Sequence, residues 1–267
     1  MSRCVEDPGA LLDRGAREHY DDPVYYDYTY RRRREDVAFY QRVARQYGGP
    51  VLELGVGSGR VAIPLCRDGH TVVGIDLSAP MLAQAAARAK DAELPRGALT
   101  LREGDMRDFS LRRRFPLVIA PFNALLHLYE AEDLAACFAQ VRRHLAPGGR
   151  FVFDVRMPWV RELARDPERE YAVGSFVHPT LGVKVRYTEQ FRYDAVKQVQ
   201  FITVRFYPPR GEVVEHLLAQ RQIFPNELRG LLRLGGLRLA KRMGDFDGRA
   251  LTAESDSQII EAVALDA

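Results

Sequence analysis

Five short apolar runs lie between Val51 and Val155, and stretches with helical spacing separate most of them. They are "VLEL", "HTVVGID", "ALTLREGD", "FPLVIAPF" and "RFVFDV". Strands joined through helices pair in parallel, with helices covering both faces of the sheet, so this stretch predicts an α/β layer fold. The intervening stretches agree. "LSAPMLAQAAARAKDA" opens on a capping residue, Ser78, with Pro80 in the first turn. "EDLAACFAQVRRHLAPGG" carries Leu134, Phe138, Val141 and Leu145 at helical spacing, and Gly148-Gly149 is expected to stop that helix. Ahead of the first strand, Val37, Tyr40, Ala44 and Tyr47 predict a helix from about residue 34 to Tyr47, closed by Gly48-Gly49-Pro50. After it, Pro64 predicts a short or bent first turn.

The rhythm changes after Pro158. In "GVKVRYTEQFRYD", Val183, Val185, Tyr187 and Phe191 alternate with Lys184, Arg186, Gln190 and Arg192. "QVQFITVRFYP" and "VVEHLLAQRQIF" follow as further strands with turns between them, which predicts a small antiparallel sheet over roughly residues 170–224. A helix, "PNELRGLLRLGG", and two strands, "LRLAKRM" and "SQIIEAVAL", then resume the main pattern. The expected organisation is an N-terminal lid over 1–34, a core over 35–157 and 225–267, and an antiparallel insertion over 158–224.

No apolar run reaches the ~20 residues of a membrane span, and "MSRCVEDPGA" lacks an apolar signal stretch. Three scattered cysteines, Cys4, Cys66 and Cys137, suggest neither a disulfide framework nor a zinc site. The expectation is a cytoplasmic protein with no membrane contact and no metal. A net charge of +3 permits an anionic partner without demanding one.

"VLELGVGSGRVAIPL" brings backbone close to a ligand through Gly55, Gly57 and Gly59. A phosphate loop of the NTPase type needs Lys-Ser/Thr after its last glycine, and here Arg60-Val61 follows. A dinucleotide fingerprint is G-x-G-x-x-G, and here the third glycine comes one residue early. Glu53, two residues before the first glycine, would repel a pyrophosphate and suit a cation. Asp76, ending the second strand 23 residues on, is placed to accept from ribose hydroxyls. In "GDMRDF", Asp105 could take an adenine amino group while Met106 covers the ring. A nucleoside with a positively charged, phosphate-free tail meets all of these conditions. S-adenosylmethionine fits that description better than NAD.

"LELGVGSGR", "VVGIDLS", "EGDMRDF" and "HLAPGGRFVFDV", in that order, resemble the class I S-adenosylmethionine-dependent methyltransferases over residues 51–156. The resemblance implies a Rossmann-like seven-stranded sheet, mostly parallel, with an antiparallel last strand in "SQIIEAVAL" and the small antiparallel β insertion after the fifth strand. It implies S-adenosylmethionine as cofactor and S-adenosylhomocysteine as product. Leu77, Met81 and Phe122 join Arg60 and the residues already named around the cofactor. A tyrosine-rich N-terminal lid and the insertion are similar to the small-molecule branch that includes glycine/sarcosine and aminosugar N-methyltransferases. In that branch lid tyrosines and an arginine close over the methionine portion, and Tyr26, Tyr30 and Arg33 match best. A histidine near the transferred methyl is matched by His127 in "PFNALLHL", which gives His127 and Tyr26 as the catalytic candidates.

For the acceptor, Asn123, His178, Tyr187, His216 and Arg221 are candidates, with Glu189 and Arg205 nearby in the pattern. Each has a plainer reading as a packed, capping or solvated residue. The expected activity is methyl transfer to a small polar metabolite, an amine by resemblance, in a chain compatible with a homodimer. Two rivals stand beside it. The arginine runs 31–34 and 112–114 suit an RNA (tRNA) methyltransferase, although no RNA-binding module is recognisable. A catalytically silent cofactor-binding module is the other.

Overall fold

The computed structural model describes residues 8–265, so Cys4 lies outside the described residues. The strands in chain order are β1 (Val51–Leu54), β2 (Val72–Asp76), β3 (Leu99–Glu103), β4 (Phe115–Ala120), β5 (Leu145–Arg156), β6 (Glu170–Val177), β7 (Lys184–Asp194), β8 (Val199–Tyr207), β9 (Val214–Arg221), β10 (Leu237–Met243) and β11 (Ser257–Ala264). The helices are α1 (Pro8–Arg17), α2 (Pro23–Tyr30), α3 (Glu35–Tyr47), α4 (Ala62–Arg67), α5 (Ala79–Asp91), α6 (Ala131–His144), α7 (Val160–Leu163) and α8 (Leu228–Leu234). They form two units. One comprises the residues through Tyr30 with Pro158–Gln222, and the other comprises Arg31–Met157 with the residues from Ile223 on. No helix among the described residues is long and apolar enough to cross a membrane.

The larger unit holds a seven-stranded sheet in the order β10-β11-β5-β4-β1-β2-β3. β11 runs antiparallel to both β10 and β5, while β5, β4, β1, β2 and β3 are parallel. Strand alternation splits its core in two. Leu52, Leu54, Val118 and Phe153 pack on one face with Leu134, Phe138, Leu228 and Leu232 of α6 and α8. Val51, Leu117, Ile119 and Val152 pack on the other with Phe39, Tyr40, Ala62 and Leu65 of α3 and α4. Both faces are therefore dry, as a parallel sheet requires. α4 is only six residues long, with Pro64 inside its first turn where no backbone donor is lost. The Ser78 hydroxyl caps α5 by accepting from Met81 N at 3.3 Å.

Gly148-Gly149 does not lie at the end of α6. The helix closes at His144, and β5 takes up the chain from Leu145 because Pro147 cannot continue a helix and Leu145 pairs with Phe115. The glycines sit in an irregular stretch of β5 where its register with β4 shifts.

The smaller unit holds a four-stranded antiparallel sheet in the order β6-β7-β8-β9. β6 was not expected. "EYAVGSFV" is mostly exposed and interrupted by Gly174, at a register shift, so it lacks the alternation that marks its neighbours. The lid sequence forms α1 and α2, α1 packing beside β9: a Cβ on Gly15 would lie 2.4 Å from Ala219 Cβ, so a larger residue there would clash.

Candidate functional site

In the larger unit the site is built at the carboxyl ends of β1 and β2. Gly55 N and Val56 N both donate to Ile75 O, at 2.8 and 3.0 Å, turning the chain off β1 across the end of β2. Gly55 and Gly57 have φ of +68° and +52°, the left-handed region that side chains disfavour. A Cβ on Gly55 would also come within 2.8 Å of Ala124 Cβ. Gly57 N donates to Asp76 Oδ2 at 2.7 Å and Ser78 N donates to Asp76 Oδ1 at 2.8 Å. Asp76 therefore clamps the glycine turn to the end of β2 while each of its oxygens keeps a further lone pair for a ligand. Burial raises its carboxyl above the usual range, and the amide donors from Ser78, Gly57 and Leu77 pull it back. Met81 lies buried beneath Gly57, Leu77 is exposed beside Asp76, and Met106 is half-buried with its Cε near Gly55.

Glu53 is 2% exposed, and its Oε2 is buried with no hydrogen-bond partner among the described residues. Burial pushes this carboxyl well above the usual range, against the pull of Arg60 and with Asp76 and Asp36 adding to the rise. Burial thus favours the neutral form of Glu53, which weakens the repulsion of phosphate that the sequence alone suggests. Glu53 retains a strong preference for a cation, whose field would restore its charge. An orphaned buried carboxyl under a glycine turn that a Cβ would obstruct fits the nucleoside with a positive tail that the sequence implies.

Arg60 and Arg33 do not extend as free ligand clamps. Arg60 Nη1 and Nη2 donate to the two oxygens of buried Asp36 at 2.9 and 2.6 Å, and Arg33 Nε adds a bond to Oδ2 at 3.1 Å. Burial alone would raise Asp36, but the two guanidiniums outweigh it and hold the carboxyl below its usual range. Both guanidiniums also lie over the Phe122 ring, Arg33 at 4.8 Å and Arg60 at 4.7 Å. Phe122 and Asn123 have φ of +57° and +65°. For a bulky aromatic residue that is a strained conformation, sustained only by surrounding bonds. Those bonds come from Asp154: its Oδ1 accepts from Phe122 N at 2.8 Å and from Tyr40 Oη at 2.7 Å. Burial raises the Asp154 carboxyl and, more strongly, the Tyr40 phenol. Asp36, Tyr40 and Asp154 were not read from sequence as site residues. The signal that could have found Asp154 is an acid inside the apolar run "RFVFDV".

Asn123, Asp105, His178 and Arg221 are each engaged or placed by the protein itself. Asn123 is bound to backbone, its Oδ1 accepting from Arg156 N at the end of β5 at 2.7 Å. Asp105 is engaged by Arg107, which donates to both its oxygens, from 2.6 to 3.1 Å, and holds it below its usual range against the effect of burial. The other two, His178 and Arg221, belong to the smaller unit. His127 closes a short 3-10 turn, 124–127, directly after the strained pair rather than lying within an α-helix.

In the smaller unit, Tyr26 and Tyr30 meet each other, with ring centroids 4.8 Å apart, and Tyr30 Oη pairs with His19 Nε2 at 3.1 Å. Registers Tyr187↔Phe206, Glu189↔Val204 and Val204↔His216 put Tyr187, Glu189 and His216 on one sheet face. Tyr187 stacks on Phe206 and donates to Glu189 Oε1. Burial, then the Glu189 charge, pushes the Tyr187 phenol far up. His216 Nδ1 bonds Glu18 O at 3.0 Å. His178 instead serves its own turn, its Nδ1 accepting from Thr180 N and Leu181 N at 3.3 Å while Tyr25 stacks on its ring. Arg221 pairs with Val199, five residues from His216, so alternation sends it to the opposite face. Arg205 shares that other face and pairs with Glu215 and Glu170.

Residues 51–149 match the family described as a methyltransferase domain. Over 210 residues the chain is 33% identical to an uncharacterized methyltransferase of Geobacillus thermodenitrificans, covering 68% of this chain and 93% of that one. It is 33% identical over 124 residues to a dTDP-3-amino-3,4,6-trideoxy-alpha-D-glucopyranose N,N-dimethyltransferase of Streptomyces venezuelae, covering 46% of this chain and 48% of that one. The chain spans about half the length of the aminosugar dimethyltransferases it matches. Among solved structures, the CcbJ methyltransferase from Streptomyces caelestis superposes with a TM-score of 0.73 at 29% identity, over 87% of this chain and 90% of that one.

Proposed function

From the premise that this chain belongs to the S-adenosylmethionine-dependent methyltransferases, we propose that it transfers a methyl group to the amine nitrogen of a small polar metabolite. The observation that carries the cofactor half of this reading is Glu53, a buried acid without a partner beside a glycine turn that Asp76 holds closed. The acceptor half draws its support from relatives named for methylating aminosugars.

S-adenosylmethionine, when bound, supplies a methyl group on a sulfonium, which leaves as a neutral thioether. The residues that would hold it are Glu53 for the positive end, Asp76 for the ribose hydroxyls, the Gly55–Gly59 turn for close backbone approach, and Met81 and Met106 for apolar contact. Phe122, kept in its strained turn by Asp154, Arg33 and Arg60, shapes the adjoining wall. The chain's remaining work is alignment and exclusion of water, and such alignment is worth about 7–11 kcal/mol in well-oriented systems. His127 would accept the proton that an ammonium acceptor must lose before its nitrogen lone pair can attack. In the smaller unit, Tyr26, Tyr187 and His216 are the candidates for acceptor contact.

The test is incubation with methyl-labelled S-adenosylmethionine and matched aminosugars and deaminated sugars, followed by mass spectrometry. Label on nitrogen of the aminosugars alone is the expected outcome. Label on a hydroxyl would overturn the amine assignment. Label in added RNA would overturn the small-molecule assignment, and cofactor binding without turnover on any acceptor in a cell extract would favour the silent module.

A further inference from the structure

The opposite end of the large sheet carries a feature that methyl transfer does not use. The 104–114 connection runs from the carboxyl end of β3 to the amino end of β4, and Arg112, Arg113 and Arg114 lie at its close. The last turn of α6, which contributes Arg143, ends at the start of β5 on that same edge. These four arginines line one open cleft of about 550 Å³. The glycine turn and Asp76 lie at the other ends of the same parallel strands.

Several arginines elsewhere in the larger unit are matched to carboxylates: Arg33 and Arg60 to Asp36, Arg107 to Asp105 and Asp133, Arg150 to Glu261. Among the described residues, none of the four cleft arginines forms an ion pair. Arg113 has its guanidinium 5.7 Å from the Phe115 ring centroid. Asp108 is the one acid lining the cleft, and its carboxylate is engaged, at a long 3.5 Å, by Gln140 Nε2. Four exposed like charges lining one cleft repel one another across solvent; the negative end of the α6 dipole offsets part of that repulsion. A bound polyanion would relieve the rest.

The cleft is also built rather than draped. His144 is 6% exposed, its Nδ1 donates to Gln140 O at 2.8 Å and its Nε2 accepts from Leu111 N at 3.0 Å. Its ring stacks on Phe109 at 4.6 Å. The Leu111 bond and the Phe109 stack pin the backbone of the 104–114 connection to α6, from which the exposed arginines extend. Guanidinium forks match phosphate oxygens two at a time, which an ammonium cannot do. A concavity of this volume falls in the range of small-molecule sites. A nucleic acid would call for a longer basic track with stacking aromatic residues.

We infer that the cleft bounded by Arg112, Arg113, Arg114 and Arg143 is an anion site for a small molecule bearing two or more linked phosphates. The probe is inorganic pyrophosphate, titrated calorimetrically at low salt beside orthophosphate and a tRNA mixture. Pyrophosphate is expected to bind more tightly than orthophosphate and to weaken as salt rises. The double variant Arg113→Ala/Arg143→Ala should weaken it by about tenfold or more, and Arg113→Lys/Arg143→Lys should fall between, because charge remains while the fork is lost. Unchanged S-adenosylmethionine binding in both variants shows that they fold. The inference is overturned if pyrophosphate does not bind, if it binds no better than orthophosphate, or if the alanine variant binds it as the parent does. It is equally overturned if tRNA alone binds through these arginines.

Discussion

Burial outweighs the pull of Arg60 on Glu53 and raises its carboxyl well above the usual range in the protein alone. A cationic ligand beside it reverses that balance, so binding should expel one proton from Glu53. While the pH lies below the raised ligand-free value and above the lowered bound one, each pH unit should tighten the dissociation constant about tenfold, or about 1.4 kcal/mol. Above the raised value the slope should vanish. Glu53→Gln keeps the shape and the neutral state but cannot be recharged. It should therefore bind without pH dependence, and more weakly by the ~1.5–3 kcal/mol of a hydrogen bond to a charged group. That is roughly a tenfold to 150-fold loss.

The same residue governs stability with the opposite sign. Between the ordinary carboxylate value and the raised folded one, the folded chain holds a proton that the unfolded chain has released. Stability without ligand therefore falls as pH rises through that window. Glu53→Gln removes this fall, so near neutral pH the variant should be the more stable protein and the poorer binder. Calorimetry in two buffers of different ionisation enthalpy counts the protons released, and urea titration across pH measures stability. Binding that releases no proton and shows the same affinity at about pH 5.5 and pH 8, with Glu53→Gln indistinguishable from the parent, would refute the assignment of Glu53 to the positive end.

Asp76→Ala should lower S-adenosylmethionine affinity by about 1.5–3 kcal/mol for each ribose hydrogen bond it removes, measured by calorimetry; unchanged affinity would misplace the ribose. Asp36→Ala leaves Arg60, whose side chain is 12% exposed, without its partner, and should cost about 3–5 kcal/mol in a urea titration. Because Asp36 titrates below its usual value when folded, its contribution is held at neutral pH and lost as pH falls through that lowered value. Burial, with Glu53 nearby, pushes the Cys66 thiol up to about 12. At pH 8 its thiolate fraction is on the order of one in ten thousand, so a thiol reagent should modify it only after unfolding.

The strands of the parallel sheet were legible because burial on two faces leaves a strong mark: β1, β4 and β5 are runs of apolar residues that no surface could accept. Edge strand β6, with few buried side chains and a glycine, left no such mark. At the candidate site, the glycine turn and Asp76, which the structure joins through Gly57 N, were legible because a tight turn and a strand-end acid constrain the residue type locally. The partners of Arg33, Arg60 and Asp105 were not, because charge pairing depends on three-dimensional neighbours: Asp36 reads as an ordinary first-turn acid until Arg60, 24 positions on, is folded against it. Phe122 shows the limit most clearly. Nothing in "APFNA" announces a left-handed phenylalanine; the conformation is imposed by Asp154, 32 residues later, accepting its amide. A lone acid in a buried strand draws donors to its oxygens, and here Oδ1 does so by holding the turn that leads to His127, while Oδ2 stays buried without a partner among the described residues.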